Sequence, residues 1–252
     1  MRQYILPPTY DGEALLNLEK KDSQYFIKVL RLKKGDKIIA RDNKGKIYQL
    51  ILIDGDSDSC SLSVEPLDSI QDGESTDTLP SYSGKYPQIH LFQCTCKGKK
   101  NDGIVRMATE MGVQSITLVQ SRYCVSKKDK KDNSRFNSII KEAIQQSGSP
   151  VPTTFNDVIK IEQLPSIWKH KLLFFHQSEL EEQKDLHTLL KNFPLDEPIG
   201  VLIGSEGGLS KDECNLLINS GFDPVLLKTN ILRAETASIA AISAIHTLLM
   251  EK

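Results

Sequence analysis

The sequence lacks long apolar segments and has few cysteines. No run approaches the roughly 18 to 20 consecutive apolar residues that a membrane-spanning helix needs, and the first eight residues contain no apolar core long enough for a signal peptide. Five cysteines scattered through 252 residues are an odd number and do not form a disulfide framework. These absences argue against a membrane protein and a disulfide-rich secreted domain, and they predict a cytoplasmic chain in a reducing compartment.

What is present is the composition of an ordinary globular protein. Of the 252 residues, 39% are hydrophobic and 26% are charged, and this length suits one large or two modest domains. Cys94 and Cys96, with His90 nearby, could suggest a zinc site. Their spacing is not that of a zinc finger, and no second cluster follows, so the sequence predicts no metal.

The net charge of -1 is the sum over segments of opposite charge. Residues 1–50 hold 11 Lys and Arg against 6 Asp and Glu, and residues 94–141 hold 11 against 4. Residues 51–80 contain 8 acids and no base, and residues 142–252 have 15 acids against 9 bases. Basic blocks are typical of phosphate-binding surfaces, although they can also be merely solvated. The balanced total therefore does not exclude a nucleic-acid partner.

The first 70 residues read as a small β-rich domain. Asp22 and Ser23 can cap a short helix, and strands are predicted at residues 37–41, 47–53 and 59–64. Several short strands with tight turns favour a small barrel. Residues 71–87 are polar, acidic and interrupted by Gly and Pro, which predicts a linker before a second domain at residues 88–252.

The second domain alternates between strand and helix patterns. Strands are predicted at residues 89–93, 115–119, 172–175, 199–203 and 224–227. Helices are predicted from Asp102 to residue 111, at 135–147, at 179–190, from a capping box at Ser210 to about residue 219, and at 234–250. This alternation predicts an α/β domain with a parallel sheet and helices on both faces.

The end of one predicted strand carries a glycine-rich segment. Residues 201–210 read Val-Leu-Ile-Gly-Ser-Glu-Gly-Gly-Leu-Ser. Glycines let the backbone approach a ligand closely, and the segment leads into a helix N-terminus. It is neither a phosphate-binding Walker loop nor a dinucleotide fingerprint. A tight turn without a ligand is the plain structural alternative.

A second strand end places charged residues at the start of the last helix. Glu235 interacts favourably with a helix N-terminus, so a capping role explains it. Arg233 has no such explanation, because a cation is disfavoured there. Its position suggests that it is kept for an anion or a polar substrate.

Together these two segments resemble the SPOUT methyltransferases, and more narrowly the RsmE family. That family carries Ile-Gly-Pro-Glu-Gly-Gly-Leu followed by Leu-Gly-x-Arg-Ile-Leu-Arg-x-Glu-Thr-Ala, which this chain matches at residues 203–209 and 231–237. Residues 28–35, 97–100, 110–113 and 142–147 match further segments of the family. The chain departs from the family pattern in having Ser205 for Pro, Lys228 for Gly, Asn230 for Arg and Ser149 for Arg.

The resemblance implies a fold, a cofactor and a substrate. It implies a PUA-like RNA-binding β-barrel at residues 1–70 and a SPOUT methyltransferase domain at residues 88–252, with a trefoil knot at roughly 172–252. It further implies methylation of N3 of a uridine in 16S ribosomal RNA on the assembled small ribosomal subunit, by a homodimer that uses S-adenosylmethionine and no metal. The implied cofactor-binding residues are His176, Ile203, Gly204, Ser205, Glu206, Gly207, Leu227, Ile231, Leu232 and Arg233. The implied RNA-binding residues are Arg2, Lys28, Arg31, Lys97, Lys99 and Lys100.

The chemistry of this reaction is compatible with the residues present. Uridine N3 carries a weakly acidic proton, and its loss leaves negative charge on the uracil oxygens. A preorganised cation stabilises such charge, which makes Arg233 the first candidate catalytic residue. Glu235 is the second, because it can accept the N3 proton or orient the base or Arg233.

Two other functions are compatible with parts of the pattern. A SPOUT enzyme could instead methylate a ribose 2′-hydroxyl, but such enzymes carry an Asn-rich segment where this chain has residues 231–236. A non-catalytic RNA-binding protein could use the barrel and the basic blocks alone. The presence of Arg233 and Glu235 argues against that interpretation.

Overall fold

A computed structural model of the chain describes residues 3–42, 44–67, 85–124, 133–177, 180 and 183–250. The chain divides into two compact units, Met1–Tyr82 with Ile144–Pro152 and Ser83–Ala143 with Thr153–Lys252. Most of the predicted linker lies outside the described residues, as do Arg2 and the lysine-rich residues 127–131.

The first unit is built on one five-stranded sheet. Its strands lie in the order β1-β3-β4-β5-β2, and all neighbours are antiparallel except β1 and β3. The bounds are β1 Gln3–Ile5, β2 Leu15–Glu19, β3 Lys37–Arg41, β4 Ile47–Gly55 and β5 Ser59–Pro66.

Alternation of apolar and polar residues decides which face of this sheet is buried. In β4 the side chains of Tyr48, Leu50 and Leu52 are buried, and in β5 those of Cys60, Leu62 and Val64 are buried. They form one core with Tyr4, Leu6, Phe26, Leu16 and Leu18. Gly55 permits the close approach of the two strands, because a Cβ there would lie 2.4 Å from the Cα of Cys60.

The helical segment of this unit begins earlier than predicted. Helix α1 spans Lys20–Gln24 and continues into a π-helical turn at Tyr25–Val29. Ser23 is not a cap, because its buried hydroxyl donates a hydrogen bond back to the carbonyl of Leu18 at 2.9 Å. Arg31 follows with φ of +57°, a conformation that residues other than Gly rarely adopt.

Ile144–Pro152 joins the first unit through a buried amide, although the sequence prediction placed it in the second domain. The Gln3 side-chain nitrogen donates hydrogen bonds to the carbonyls of Ile144 and Ser149, both at 3.1 Å. The Gln3 oxygen accepts a hydrogen bond from Nε of Arg41 at 2.9 Å. Gln3 therefore has partners for both ends of its amide.

The second unit is an all-parallel six-stranded sheet with helices, as predicted for an α/β domain. The strand order is β11-β9-β10-β6-β7-β8. The strands are β6 Ile89–Cys94, β7 Ser115–Gln120, β8 Thr154–Lys160, β9 Lys171–Phe175, β10 Ile199–Ile203 and β11 Asp223–Val225. The helices are α2 Lys100–Glu110, α3 Ser134–Ser147, α4 Leu164–Ile167, α5 Leu186–Leu190, α6 Lys211–Asn219 and α7 Ala234–Met250, and a 3₁₀ turn occupies Ile161–Gln163. The last turn of α3, from Ile144 onward, belongs to the first unit.

Three predicted helix or strand bounds in this unit are wrong. Helix α2 begins at Lys100, and Asp102 lies in its first turn, where its carboxylate pairs with Arg135 instead of capping the helix. Helix α5 begins at Leu186, because Asp185 caps it by accepting a hydrogen bond from the Thr188 amide. Strand β11 ends at Val225 instead of residue 227.

The last helix closes the fold of the second unit. Helix α7 packs against β10 and against helices α2 and α5. Its fully buried face carries Ser238, Ala241, Ile242 and Ile245. In the part of the chain that the structure describes, this and every other helix is too short or too polar to cross a membrane.

Candidate active site

A cavity of about 650 Å³ opens where strands β9 and β10 end. Carboxyl ends of parallel strands are the usual place for a ligand in such sheets. The lining residues come from the segment after β9, the segment after β10, the segment between β11 and α7, and the start of α2 and α7. They are Lys100, Phe175, His176, Gln177, Ile203, Gly204, Ser205, Glu206, Gly208, Leu209, Leu226, Leu227, Thr229, Asn230, Ile231, Leu232, Arg233, Ala234 and Ala237.

One wall is a tight turn at residues 205–208, called here the glycine turn. The Gly208 amide donates a hydrogen bond to the Ser205 carbonyl at 2.9 Å. Glu206 Oε1 accepts hydrogen bonds from the Lys97 amide at 3.1 Å and from Lys100 Nζ at 2.8 Å. Desolvation opposes the charge of Glu206, but these donors outweigh it and hold the pKa of its carboxyl below the ordinary value. The hydrogen bond from Lys100 Nζ to Glu206 also raises the pKa of Lys100.

The capping box of α6 follows the glycine turn directly in the chain, and its position at Ser210 was predicted correctly. It is called here the brace of the glycine turn. Glu213 Oε2 accepts hydrogen bonds from the Ser210 amide at 2.7 Å and from the Ser210 hydroxyl at 2.8 Å. Glu213 Oε1 accepts one from the Arg122 amide at 2.7 Å. The buried carboxylate thus connects the end of β7 to the start of α6.

The opposite wall is the segment 226–233, called here the cofactor loop, and it has few hydrogen bonds. The Thr229 amide donates to the Leu227 carbonyl at 2.7 Å, and the Thr229 hydroxyl donates to the Asn230 carbonyl at 2.9 Å. Ile231 is 80% exposed. The guanidinium of Arg233 is exposed and forms no ion pair with any residue that the structure describes.

Two buried polar atoms near the cavity have no hydrogen-bond partner among the described residues, the Ser205 hydroxyl and Glu235 Oε2. Ser205 is only 6% exposed and lines the cavity. A buried polar group without a partner costs free energy, so such groups at a cavity are expected to be satisfied by a ligand or by water. Both atoms are therefore candidate ligand contacts.

A buried amide connects the glycine turn to the last helix. The Gln93 side-chain nitrogen donates to the Gly204 carbonyl at 3.3 Å, and the Gln93 oxygen accepts a short hydrogen bond from the Ser238 hydroxyl. The Ala234 carbonyl lies 2.8 Å from the same hydroxyl oxygen, so the single proton of Ser238 is shared between two acceptors. Gln93, at the end of β6, was not singled out in the sequence.

Most of the residues assigned to the cofactor from the resemblance lie at this one cavity. Those lining it are His176, Ile203, Gly204, Ser205, Glu206, Leu227, Ile231, Leu232 and Arg233, whereas Gly207 does not line it. Glu235 also lies off the lining, although its charge raises the pKa of Cys96 and of Lys100.

The residues assigned to RNA have different surroundings. Lys97 and Lys99 are exposed beside the glycine turn, while Lys100 is half-buried and lines the cavity. Lys28 and Arg31 are exposed in the first unit. No site role was predicted for Gln177 and Thr229, and Asn230 was named only as a departure from the family pattern, although their positions after β9 and β11 could have indicated them.

The cysteine-rich end of β6 is a buried structural element. Burial raises the pKa of Cys96 to about 12 and raises that of Cys94 further, so both thiols stay protonated. His90 is bonded through Nδ1 to the Ser115 hydroxyl at 2.8 Å, and burial with the neighbouring His170 lowers its pKa to about 4. Among the described residues, no group of three or more His, Cys, Asp or Glu side chains could hold a metal ion.

Both units match known RNA-modification domains. Residues 84–246 match the family model of an RNA methyltransferase domain, and residues 18–65 match that of an RNA methyltransferase PUA domain. The first match covers more than half of the chain and includes the whole cavity.

Relatives of known name extend over the full length of the chain. The chain is 29% identical to ribosomal RNA small subunit methyltransferase E 2 of Borreliella burgdorferi, over 99% of this chain and 98% of that protein. It is 26% identical to ribosomal RNA small subunit methyltransferase E of Bacillus subtilis, over 97% and 96% of the two chains. The crystal structure of the Neisseria gonorrhoeae ribosomal RNA small subunit methyltransferase E, bound to S-adenosyl methionine, has the same fold, with a TM-score of 0.80, 24% identity and coverage of 98% of both chains. The resemblance to the RsmE family is thereby confirmed, and the chain belongs to the RNA methyltransferase family.

Proposed function

We propose that the protein transfers a methyl group from S-adenosylmethionine to N3 of a uridine in 16S ribosomal RNA, on the assembled small subunit. One observation carries the proposal. The two segments that resemble the RsmE motifs, 203–209 and 231–237, are 22 positions apart in the chain, yet both contribute to the lining of a single cavity. Relatives named as small-subunit ribosomal RNA methyltransferases support the choice of substrate.

The cavity fits S-adenosylmethionine in size and in chemistry. Its volume of about 650 Å³ lies within the range of roughly 300–1,000 Å³ typical of small-molecule sites. Apolar side chains of Leu226, Leu227 and Leu232 offer a surface for a nucleobase, and the buried Ser205 hydroxyl offers a hydrogen bond that no described residue takes. When bound, the cofactor would supply an electrophilic methyl group.

Arg233 and Glu235 would perform the chemistry on the acceptor base. Arg233 is exposed on the wall of the cavity, and its guanidinium is free to stabilise negative charge on the uracil oxygens as N3 loses its proton. Glu235 has one buried oxygen with no partner among the described residues, which can accept the N3 proton or a hydrogen bond that orients Arg233. Lys100 and Glu206 form an ion pair at 2.8 Å, and both line the cavity.

The remaining roles follow the distribution of charge and of apolar surface. Lys97 and Lys99 beside the cavity, and Lys28 and Arg31 in the PUA-like unit, are proposed to bind RNA phosphates. We propose a homodimer that uses α7, because half-buried Ile239, Ala240, Ala244 and Leu248 remain on that helix in the single chain. The trefoil knot within residues 172–252 stays a prediction.

The test is methyl transfer with an identified product. The protein is incubated with radiolabelled S-adenosylmethionine and either small subunits or naked 16S ribosomal RNA, and the methylated nucleoside is identified by mass spectrometry. We expect 3-methyluridine, with small subunits as the better substrate. A ribose-methylated product, or no product with either substrate, would contradict the proposal.

Arg233→Ala separates chemistry from binding. Loss of one preorganised donor to a developing negative charge lowers kcat by about 10²- to 10³-fold, while calorimetry should find cofactor affinity within a few fold of the wild type. Lys191→Ala, which removes an exposed cation outside the cavity, is the matched control and should leave kcat unchanged. A kcat of Arg233→Ala close to that of the wild type would reject the catalytic role.

A further inference from the structure

An exposed tyrosine lies against the glycine turn, outside all the motifs described above. Tyr123 is 45% exposed, so much of its ring is open to solvent. It follows the end of β7 in a turn in which the Cys124 amide donates to the Ser121 carbonyl at 3.1 Å. The preceding amide, that of Arg122, is bound by the buried Glu213. The backbone that carries Tyr123 is therefore fixed on both sides.

The contact between Tyr123 and the glycine turn is direct. A Cβ placed on Gly207 would lie 2.7 Å from Cβ of Tyr123 and 3.2 Å from its ring carbon Cγ. Only a glycine at position 207 allows the tyrosine to pack on the backbone of this turn. Ser205, Glu206 and Gly208 all line the cavity. Tyr123 thus packs on Gly207, which does not line the cavity itself but lies between two residues that do.

Lysines adjoin the same turn. Glu206, next to Gly207, is bound by the Lys97 amide and by Lys100 Nζ. Lys97 and Lys99 are exposed. An exposed aromatic ring together with ammonium groups, on a fixed backbone, is the combination that binds single-stranded nucleic acid, because bases stack on the ring and phosphates pair with the cations.

We propose that Tyr123 is a stacking platform for a nucleobase of the substrate RNA at the mouth of the cavity, an inference that rests on the proposed function as an RNA methyltransferase. The stacked base is the target uridine or its immediate neighbour. Tyr123 is a positioning residue, because it does not line the cavity and takes no part in methyl transfer.

The test compares Tyr123→Leu with Tyr123→Phe. Leucine keeps apolar contact with Gly207 but has no ring, whereas phenylalanine keeps the ring and loses only the hydroxyl. The probes are small ribosomal subunits for steady-state methylation, and a fluorescein-labelled oligouridylate of about 12 nucleotides, a length within the range that single-strand binding sites cover, for equilibrium affinity. Thermal unfolding and calorimetric cofactor binding check that each variant is folded.

We expect Tyr123→Leu to weaken oligouridylate binding and to raise KM for small subunits by about 5- to 100-fold, with kcat and cofactor affinity nearly unchanged. Tyr123→Phe should stay within about twofold of the wild type. The dependence of affinity on salt should be unchanged in Tyr123→Leu and weaker in Lys97→Ala, because only the lysine pairs with phosphate.

Two results would overturn the inference. One is a Tyr123→Leu variant with wild-type KM and affinity, and the other is an equal loss in both tyrosine variants, which would assign the effect to the hydroxyl. Affinity is measured without turnover. A wild-type protein that binds the oligouridylate through Tyr123 but transfers no methyl group would therefore reject the proposed function and leave the stacking role standing.

Discussion

The two walls of the cavity are constructed in opposite ways. The glycine turn is closed by the bond between Gly208 and Ser205, and Glu206 ties it to Lys97 and Lys100. Directly after the turn, Glu213 joins Ser210 to the end of β7. Among the described residues, the cofactor loop has two local hydrogen bonds at Thr229 and one from the Ala237 amide to the Arg233 carbonyl. It exposes both Ile231 and Arg233.

This difference shows how one site can bind a cofactor of constant shape on one wall and close over a substrate with the other. A preorganised wall binds a ligand without paying ordering entropy, which suits a cofactor of constant shape. A wall with few contacts belongs to the low-stability part of a fold, and such parts close over substrates. Stability should therefore be concentrated in the glycine turn, whereas changes in the cofactor loop should act on substrate and cofactor.

The largest effect on stability is expected when the brace of the glycine turn is removed. Glu213→Ala deletes a buried carboxylate with three hydrogen bonds and should lower the free energy of unfolding by about 3 kcal/mol. Urea unfolding measures it, with an unchanged m-value showing that the denatured state is unaffected. Asp196→Ala, which removes an exposed carboxylate outside α6, is the control and should change the free energy by less than about 0.5 kcal/mol. An equal loss in the free energy of unfolding in both variants would contradict a special role of Glu213 in stabilising this wall.

A smaller effect, of opposite sign, is expected at Ser205. Its buried hydroxyl has no partner among the described residues, so Ser205→Ala should raise the free energy of unfolding without ligand by about 1 kcal/mol. The same change should weaken cofactor binding by several fold, because the hydroxyl then cannot bond to the ligand. Calorimetry with S-adenosylmethionine and urea unfolding measure the two quantities. A variant that is less stable and binds normally would show that the hydroxyl has a structural role instead.

The smallest effect on stability is expected in the cofactor loop. Ile231 is 80% exposed, and Ile231→Ala should change the free energy of unfolding by less than about 0.5 kcal/mol. KM for S-adenosylmethionine or for small subunits should nevertheless rise, since this side chain lines the cavity. Steady-state kinetics with each substrate varied in turn decides which one it contacts. A large loss of stability would mean that the loop is as tightly packed as the turn.

Much of the second unit could be predicted from sequence, because its strands are short apolar runs between clear turn signals. Strand β10 and helix α7 span residues 199–203 and 234–250, as their patterns predict. Strand β8 was missed because it is an edge strand whose residues are mostly exposed or half-buried, so it lacks an apolar run. Strand β1 was missed because three residues give no period.

The site was predictable where it depends on strand ends and not where it depends on tertiary contacts. Carboxyl ends of the parallel strands of one sheet lie at the same edge, so the two motif segments, which follow β10 and β11, were predicted at that edge. The contact of Tyr123 with Gly207 and the bonds of Gln93 to Gly204 and Ser238 join residues more than 80 positions apart. Neither composition nor periodicity contains that information.

The bonds of Gln93 have a consequence for the order in which the protein is completed during synthesis. Its amide lies in the first strand of the second unit to leave the ribosome. Its nitrogen bonds to the adjacent Cys94 carbonyl, yet its two distant partners, Gly204 and Ser238, lie 111 and 145 positions away. Until the final helix is synthesised, this buried amide cannot have both partners, and the wall at Gly204 lacks its support. A nascent chain that ends before Ser238 should therefore be unable to bind the cofactor, so the ability to bind appears only when the chain is nearly finished.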